Sequence, residues 1–503
     1  MTSSVSPIAA DNAAAHTAHQ ALHDAAGNGA SGGHASREAP RTQANPAPPL
    51  PVTARLAEFA AGLSFADLPP AVVERTKLLL LDLAGIIVRS QDFDSTLSMK
   101  RALRALQSDR GTIRVLGCDE RWTPQAAAHL AGAAGHSMDF DDTHARAQLH
   151  PGTPVIAAAL AAAQMTGASS RQLLTGIVAG YEVMIRVALG AVALAHSERG
   201  FHPTATVGVF GAAAAAGNIL GLSAEAMGHA FGTALSQSAG TGQFAVNGAW
   251  TKRFHVGYAA SGGLTSAVFA SQGYTGATQA FEGREGFFNV YSPRPQPELA
   301  LQGLGQTWEL LDTGIKPYPC CRGIHAPLDA LALLQNRHAL AAADVARLRV
   351  GMAQRSIHVV GEPQDRRRQP RNIVDCQFST HLCMAVALKH GRLGWNDYEP
   401  ALRDPEIFEL MQRIEVFHDA DCEANFPIAF SAVVEVITHR GEVFREFVRA
   451  PQGEPDTMPD AAALRRKFSQ LVTPALGAQG EARLFDTIMA LDRDQPAAVL
   501  FAT

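Results

Sequence analysis

Four short segments of this 503-residue chain hold side chains that can do chemistry. The densest is His136-Ser137-Met138-Asp139-Phe140-Asp141-Asp142-Thr143-His144, continuing to His150-Pro151-Gly152. Three Asp and three His within 15 residues cannot all be buried unpaired. They fit a helix end opening into a cleft, where carboxylates and imidazoles can move protons. Capping is the structural alternative, with Asp139–Thr143 ending one helix and Thr153 starting the next. Metal ligation is the chemical alternative, because Asp and His are good ligands. The second segment, Arg199-Gly200-Phe201-His202-Pro203-Thr204, is a turn that sets His202 at a helix N-terminus, a place suited to anions. The third, Thr251–Gly257, carries Lys252, Arg253 and His255. The fourth runs from Gly314 through Lys316-Pro317-Tyr318-Pro319-Cys320-Cys321-Arg322-Gly323 to His325, an irregular backbone around three basic side chains. Together they offer cations for carboxylates and several candidate bases.

Other chemistries lack their motifs. The sequence has no GxSxG elbow, no Walker A loop, no HExxH and no GxGxxG after a strand. Its six cysteines show no CxxC spacing and are too few for a disulfide scaffold, which fits a reducing compartment. A formal charge of -5 leaves no basic excess for nucleic acid. With 47% hydrophobic and 18% charged residues, disorder of the whole chain is excluded. The apolar runs Leu78–Val88 and Val155–Gln164 are far short of the ~20 residues of a membrane span, and no apolar secretory core opens the chain. A cytoplasmic protein is expected.

The elements that must position these segments are read from periodicity. Residues 1–50 have almost no large apolar side chains and read as a disordered tail, in which His16, His19, His23 and His34 could bind a metal only loosely. Helical spacing predicts helices over Thr53–Ala61, Ala71–Val88, Leu97–Gln107, Thr123–Gly135, Pro154–Gln164, Ser170–Val192, Thr206–Leu220, Ser223–Ser236 and Tyr258–Gln272. Residues 51–275 are therefore an all-α domain. Over 276–455 the pattern changes to strands at Val345–Met352 and Ile414–Phe417 and a hairpin of Ala432–Thr438 with Glu442–Ala450. Helices over His325–Leu334 and Phe378–Lys389 make this a smaller α+β lid. Over 456–503 the chain is helical again (Asp460–Leu471, Glu481–Leu491) and able to return to the first domain. The fold class expected is mainly α with an α+β second domain.

The four segments, in this order between Val52 and about residue 490, resemble the MmgE/PrpD family, which includes 2-methylcitrate dehydratase, cis-aconitate decarboxylase and iminodisuccinate epimerase. The resemblance implies a helical domain with an α+β lid, a homodimer, and catalysis without metal or organic cofactor. Carried over residue by residue, it implies Asp139 and Thr143 of the DFDDT motif, His150 and His202 as catalytic groups. It implies Lys252 and Lys316 as carboxylate-binding lysines, with Arg322 beside them. Cys321 stands where decarboxylase-like members carry a His, and Leu382 where many members carry a Tyr.

The resemblance and the residues together lead to a cofactor-independent lyase or isomerase of a small di- or tricarboxylic acid, with 2-methylcitrate dehydration first. Epimerisation of the iminodisuccinate type and decarboxylation of the cis-aconitate type are the alternatives within the family. Outside it stand a metal-dependent enzyme using the Asp139–His150 cluster and a non-catalytic carboxylate-binding relative. No nucleic acid or membrane partner is expected.

Overall fold

The computed structural model describes residues 50–502; apart from residue 50, the tail expected over 1–50 lies outside them. The helical domain is built from α1 (Val52–Gly62), α2 (Pro70–Arg89), α3 (Asp94–Ala105), α4 (Pro124–Gly135), α5 (Gly152–Thr166), α6 (Ser170–Gly190), α7 (Ala193–Glu198), α8 (Pro203–Thr206), α9 (Gly208–Ile219), α10 (Ala224–Leu235) and α11 (Thr251–Ser271). Local chemistry sets their ends. Prolines open α2 and α4, where a missing N–H costs nothing. A capping box of Ser169 and Gln172 starts α6, and Gly167, at φ 68°, closes α5. The helix expected over Thr206–Leu220 is split at Val207 into α8 and α9. The helix expected from Tyr258 begins seven residues earlier, at Thr251. Lys252 and His255 thus sit in its opening turns rather than in a loop.

Small residues let these helices come close. A Cβ on Gly257 of α11 would lie 2.3 Å from the backbone oxygen of His129 in α4. That crossing brings Lys252 toward the C-terminal end of α4, where the DFDDT segment begins. Helix α6 is apolar and 21 residues long, enough to cross a membrane, but 94% of its most apolar 18-residue stretch is buried inside the fold. Its Glu182–Arg186 pair, with no exposure of either side chain, ties the 302–310 loop to the core.

Phe281, Phe287, Phe288, Leu310 and Ile315 still belong to the helical core, while Cys320 and Ile324 belong to a second core. The changeover therefore falls later than residue 275. The second core packs His325–His338 and Thr380–His390 against a four-stranded sheet ordered Ile414–His418, Val345–Met352, Ala432–Thr438, Val443–Val448. The first pair is parallel, with Leu348 opposite Ile414, and the others are antiparallel. The architecture is mainly α with a smaller α+β domain, as the periodicity predicted.

The C-terminal helix, Ala461–Met489, breaks at Gly477 (φ 68°) and returns to the helical domain, burying Leu464, Phe468, Leu471, Leu484 and Ile488 in the first core. Its Lys467 is buried against α2, with Nζ 2.6 Å from Asp82 Oδ1. The same ammonium donates to the carbonyls of Phe140 (2.9 Å) and Lys316 (3.0 Å). One buried cation thus fastens two of the four chemical segments to the fold. Burial pushes Asp82 up to about 6 despite Lys467 beside it.

Breaking a buried ion pair on one side leaves an uncompensated charge. Lys467→Met should lower stability in urea denaturation by about 3–5 kcal/mol. Adding Asp82→Asn should recover most of that loss.

Candidate active site

Asp139 is the hub of the site. Its backbone is left-handed at φ 51°, a conformation that Asp tolerates better than most residues but that still costs energy. Oδ1 accepts from Lys252 Nζ at 2.6 Å and lies 3.4 Å from Lys316 Nζ, which also donates to the Asp139 carbonyl at 2.9 Å. Burial alone would raise this carboxyl, but Lys252 and Lys316 outweigh it and hold Asp139 well below the usual range. Oδ2 is buried with no hydrogen-bond partner. The hub is braced from three sides. Thr143–His144 pairs with Thr313–Gly314 just before Lys316. Gln377 Nε2 donates to the Met138 carbonyl. Phe378 lies under Lys252, with Nζ 5.0 Å from the ring centroid.

A chain of imidazoles runs past this hub. His150 Nδ1 sits 2.9 Å from the Asp142 carbonyl and 3.3 Å from Asp141 Oδ2. Two oxygen acceptors at Nδ1 keep the proton there, so the lone pair is on Nε2, the nitrogen left for the cavity. His136 Nδ1 shares Asp141 Oδ2 at 2.7 Å. The His136 ring centroid is 4.9 Å from that of His150 and 6.0 Å from that of His202. His202, at the N-terminus of α8, meets His255 with Nδ1 atoms 3.4 Å apart. Burial, reinforced by the nearby lysines, pushes His150 down to about 3 and His136 and His202 well below 6.5. All three are therefore neutral at neutral pH.

The His136, Asp141 and His150 atoms lie close enough to surround a metal ion. The protonated Nδ1 of His150 has no lone pair to give one, so the cluster suits proton chemistry better than metal ligation. A second such group, His144 with Glu309 and Asp312, has the same defect. His144 Nδ1 accepts from Ala147 N, so its Nε2 carries the proton, and Arg146 already pairs with both carboxylates.

A cavity of about 920 Å³ brings together Asp139, Thr143, His150, His202, Lys252 and Lys316. Thr143 Oγ1 is buried there without a partner. Arg322 reaches the wall but its charge is already held. Nε is 2.8 Å from Glu454 Oε1, and Nη1 donates to His325 Nδ1 and the Gln452 carbonyl. Arg322 thus orders the loop rather than offering a free cation. Cys321 lines the cavity, and burial pushes its thiol up to about 11. Leu382 is fully buried in the core of the α+β domain, away from the cavity wall. His136, Asp141 and His255, named in the chemical segments but given no role by the resemblance, are members of the site as well. Arg355, His358 and Arg367 line the cavity from a stretch with no chemical motif.

Asp142 supports the loop from behind. Tyr181 donates to Oδ2 at 2.6 Å and Gly152 N to Oδ1 at 3.0 Å. A Cβ on Gly152 would lie 2.6 Å from that Tyr181 oxygen, so only glycine fits. Burial, and secondarily Asp141, pushes Asp142 up to about 8. A raised carboxyl contributes stability fully below its unfolded value, near 3.9, and loses it as pH climbs through the folded value. Melting temperature should therefore fall between pH 5 and 9, and Asp142→Asn should flatten that fall, as differential scanning calorimetry would report.

Two models of one family match the chain, the MmgE/PrpD N-terminal domain over residues 54–300 and the MmgE/PrpD C-terminal domain over residues 318–493. Among curated proteins, the chain is 26% identical to a cis-aconitate decarboxylase-like protein, oryM, of Aspergillus oryzae, over 90% of this chain and 96% of that one. It is 27% identical to a cis-aconitate decarboxylase of Aspergillus terreus (88% and 93% covered) and 28% identical to that of Homo sapiens (80% and 86%). Both halves of the fold and the first three chemical segments lie within the two family models; the fourth begins in the gap between them, at Gly314–Pro317 with Lys316, and enters the second model at Tyr318. The chain belongs to the MmgE/PrpD family and is an enzyme of its lyase and isomerase chemistry.

Proposed function

We propose that this enzyme transfers a proton at a carbon next to a carboxylate of a small di- or tricarboxylic acid, without a metal, and that dehydration of the 2-methylcitrate type is its reaction. The observation that carries this reading is His150, whose Nδ1 proton is fixed by two oxygens while Nε2 is left for a cavity that also holds two lysines. A substrate carboxylate joins Asp139 between Lys252 and Lys316. His150 Nε2 then takes the proton from the neighbouring carbon. The developing charge is held by ammonium groups already in place, which need no reorganisation during the reaction. His202, hydrogen-bonded to His255, gives a proton to the departing hydroxyl, and an alkene and water result. A bound polyanion raises the pKa of nearby imidazoles, which brings His202 into the range where it can donate.

Decarboxylation of the cis-aconitate type is the second reading, favoured by the names of the relatives. Cys321 weighs against it. A thiol held near 11 delivers protons at neutral pH far less readily than the imidazole that decarboxylase-like members carry there.

Assays with 2-methylcitrate, citrate, cis-aconitate and iminodisuccinate separate these readings by product. His150→Gln should lower kcat roughly 10²–10⁴-fold, the range for loss of a general base. Lys252→Ala should raise KM and also lower kcat, because it removes a carboxylate contact present in the ground state and an ammonium that holds the charge developing in the transition state. Turnover should persist in excess EDTA; its loss with EDTA and return with a divalent ion would reinstate the metal reading. Trp250, Phe254, Tyr258 and Phe269 stand exposed along α11, which supports pairing with a second copy of the chain. Light scattering should give roughly twice 53.2 kDa, and Phe254→Asp with Tyr258→Asp should halve it.

A further inference from the structure

Six Lys and Arg side chains line the cavity, against two carboxylates. Both carboxylates are paired, Asp139 with the two lysines and Glu198 with Arg294 at 3.2 Å. Arg322 is held by Glu454. Among the described residues, that leaves Arg199, Arg355 and Arg367 facing the cavity with no acidic partner. Arg199 is exposed at the mouth, stacked on Phe201 and bonded to the Val290 carbonyl. The other two come from one stretch of the α+β domain.

That stretch has an unusual backbone. Gln354–Ser356 is a helical turn that continues as a π-helical turn over Ile357–Gly361. Such wide turns recur at functional sites because they redirect neighbouring side chains. Here Arg355, Ser356 and Val359 all reach the cavity. Arg367 is anchored to this turn, with Nη2 donating to the Val359 carbonyl at 2.6 Å and Nε to the Glu362 carbonyl at 3.1 Å. Two neutral carbonyls hold it in place without cancelling its charge. Arg355 makes no hydrogen bond or ion pair among the described residues and is only partly exposed. A guanidinium in that situation matches a carboxylate in both charge and shape.

We infer that Arg355 and Arg367 line a further carboxylate subsite, which binds the third carboxylate of a tricarboxylate substrate, the one a dicarboxylate lacks, and so selects tricarboxylates over dicarboxylates. The inference rests on the proposed carboxylic-acid substrate. It assigns the lysine pair to the carboxylate beside the reacting carbon and the two arginines to the third.

Isothermal titration calorimetry with two unreactive probes tests it. Tricarballylate has three carboxylates, and succinate has two. The wild-type enzyme should bind tricarballylate more tightly than succinate. Arg355→Gln should weaken tricarballylate roughly 10- to 100-fold, the loss of one charge-assisted contact, and leave succinate unchanged. Arg355→Lys should restore part of the difference. Because Arg355 bonds to nothing in the fold, its variants should keep the wild-type melting temperature. Arg367→Gln should show the same selectivity loss, whatever it costs in stability. Equal weakening of both probes in Arg355→Gln, or none, would overturn the subsite while leaving the lysine-centred reading intact. Failure of the wild type to bind either probe would overturn both.

Discussion

The site depends on one carboxylate held between two ammonium groups. Asp139 keeps a left-handed backbone and an unpartnered buried oxygen, both unfavourable. Lys252 and Lys316 compensate, one from the opening turn of α11 and one from an irregular loop between the two cores. Burial alone would raise the Asp139 carboxyl, and the two ammonium groups beside it keep it ionised. The three together form a small cluster of net positive charge. Such a cluster can accept one more carboxylate without bringing an unpaired charge into the protein interior.

Everything nearby keeps that cluster in register. Lys467, from the returning C-terminal helix, holds the carbonyls on either side of it, at Phe140 and Lys316. Gln377 holds the carbonyl before it. Asp142, Tyr181 and the close approach at Gly152 fix the segment that ends in His150. Asp141 and the Asp142 carbonyl then choose the tautomer of His150. Groups more than 300 residues apart in sequence thus converge on one loop. That convergence explains why the helical domain needs its C-terminal helix as well as its N-terminal ones.

Much of this is legible in the sequence, and the limits have physical causes. Helical periodicity places α2, α4, α5 and α6 closely, because each buries a continuous apolar face. It misses the first seven residues of α11, where exposed aromatics and charges hide the period. The DFDDT, FHP and lysine segments point to Asp139, His150, His202, Lys252 and Lys316, and the fold gathers these around one cavity. Pairings between distant residues are what a sequence cannot display. Nothing in the spacing around Arg322 shows that Glu454 holds it. Nothing around Leu382 shows that its helix turns that position into the core. Arg355 and Arg367 carry no motif at all, and only the π-helical turn beside them brings them to the cavity.

The central claim is that His150 Nε2 moves a proton at the carbon beside a carboxylate. The reverse reaction in D2O, hydration of the unsaturated product followed by proton NMR, tests it most directly, because it must deliver a solvent-derived proton to that carbon. Deuterium is expected there with the wild-type enzyme, and none above background with a folded His150→Gln variant. Undiminished incorporation in that variant, or hydration by the wild type that leaves no deuterium at that carbon, would contradict it.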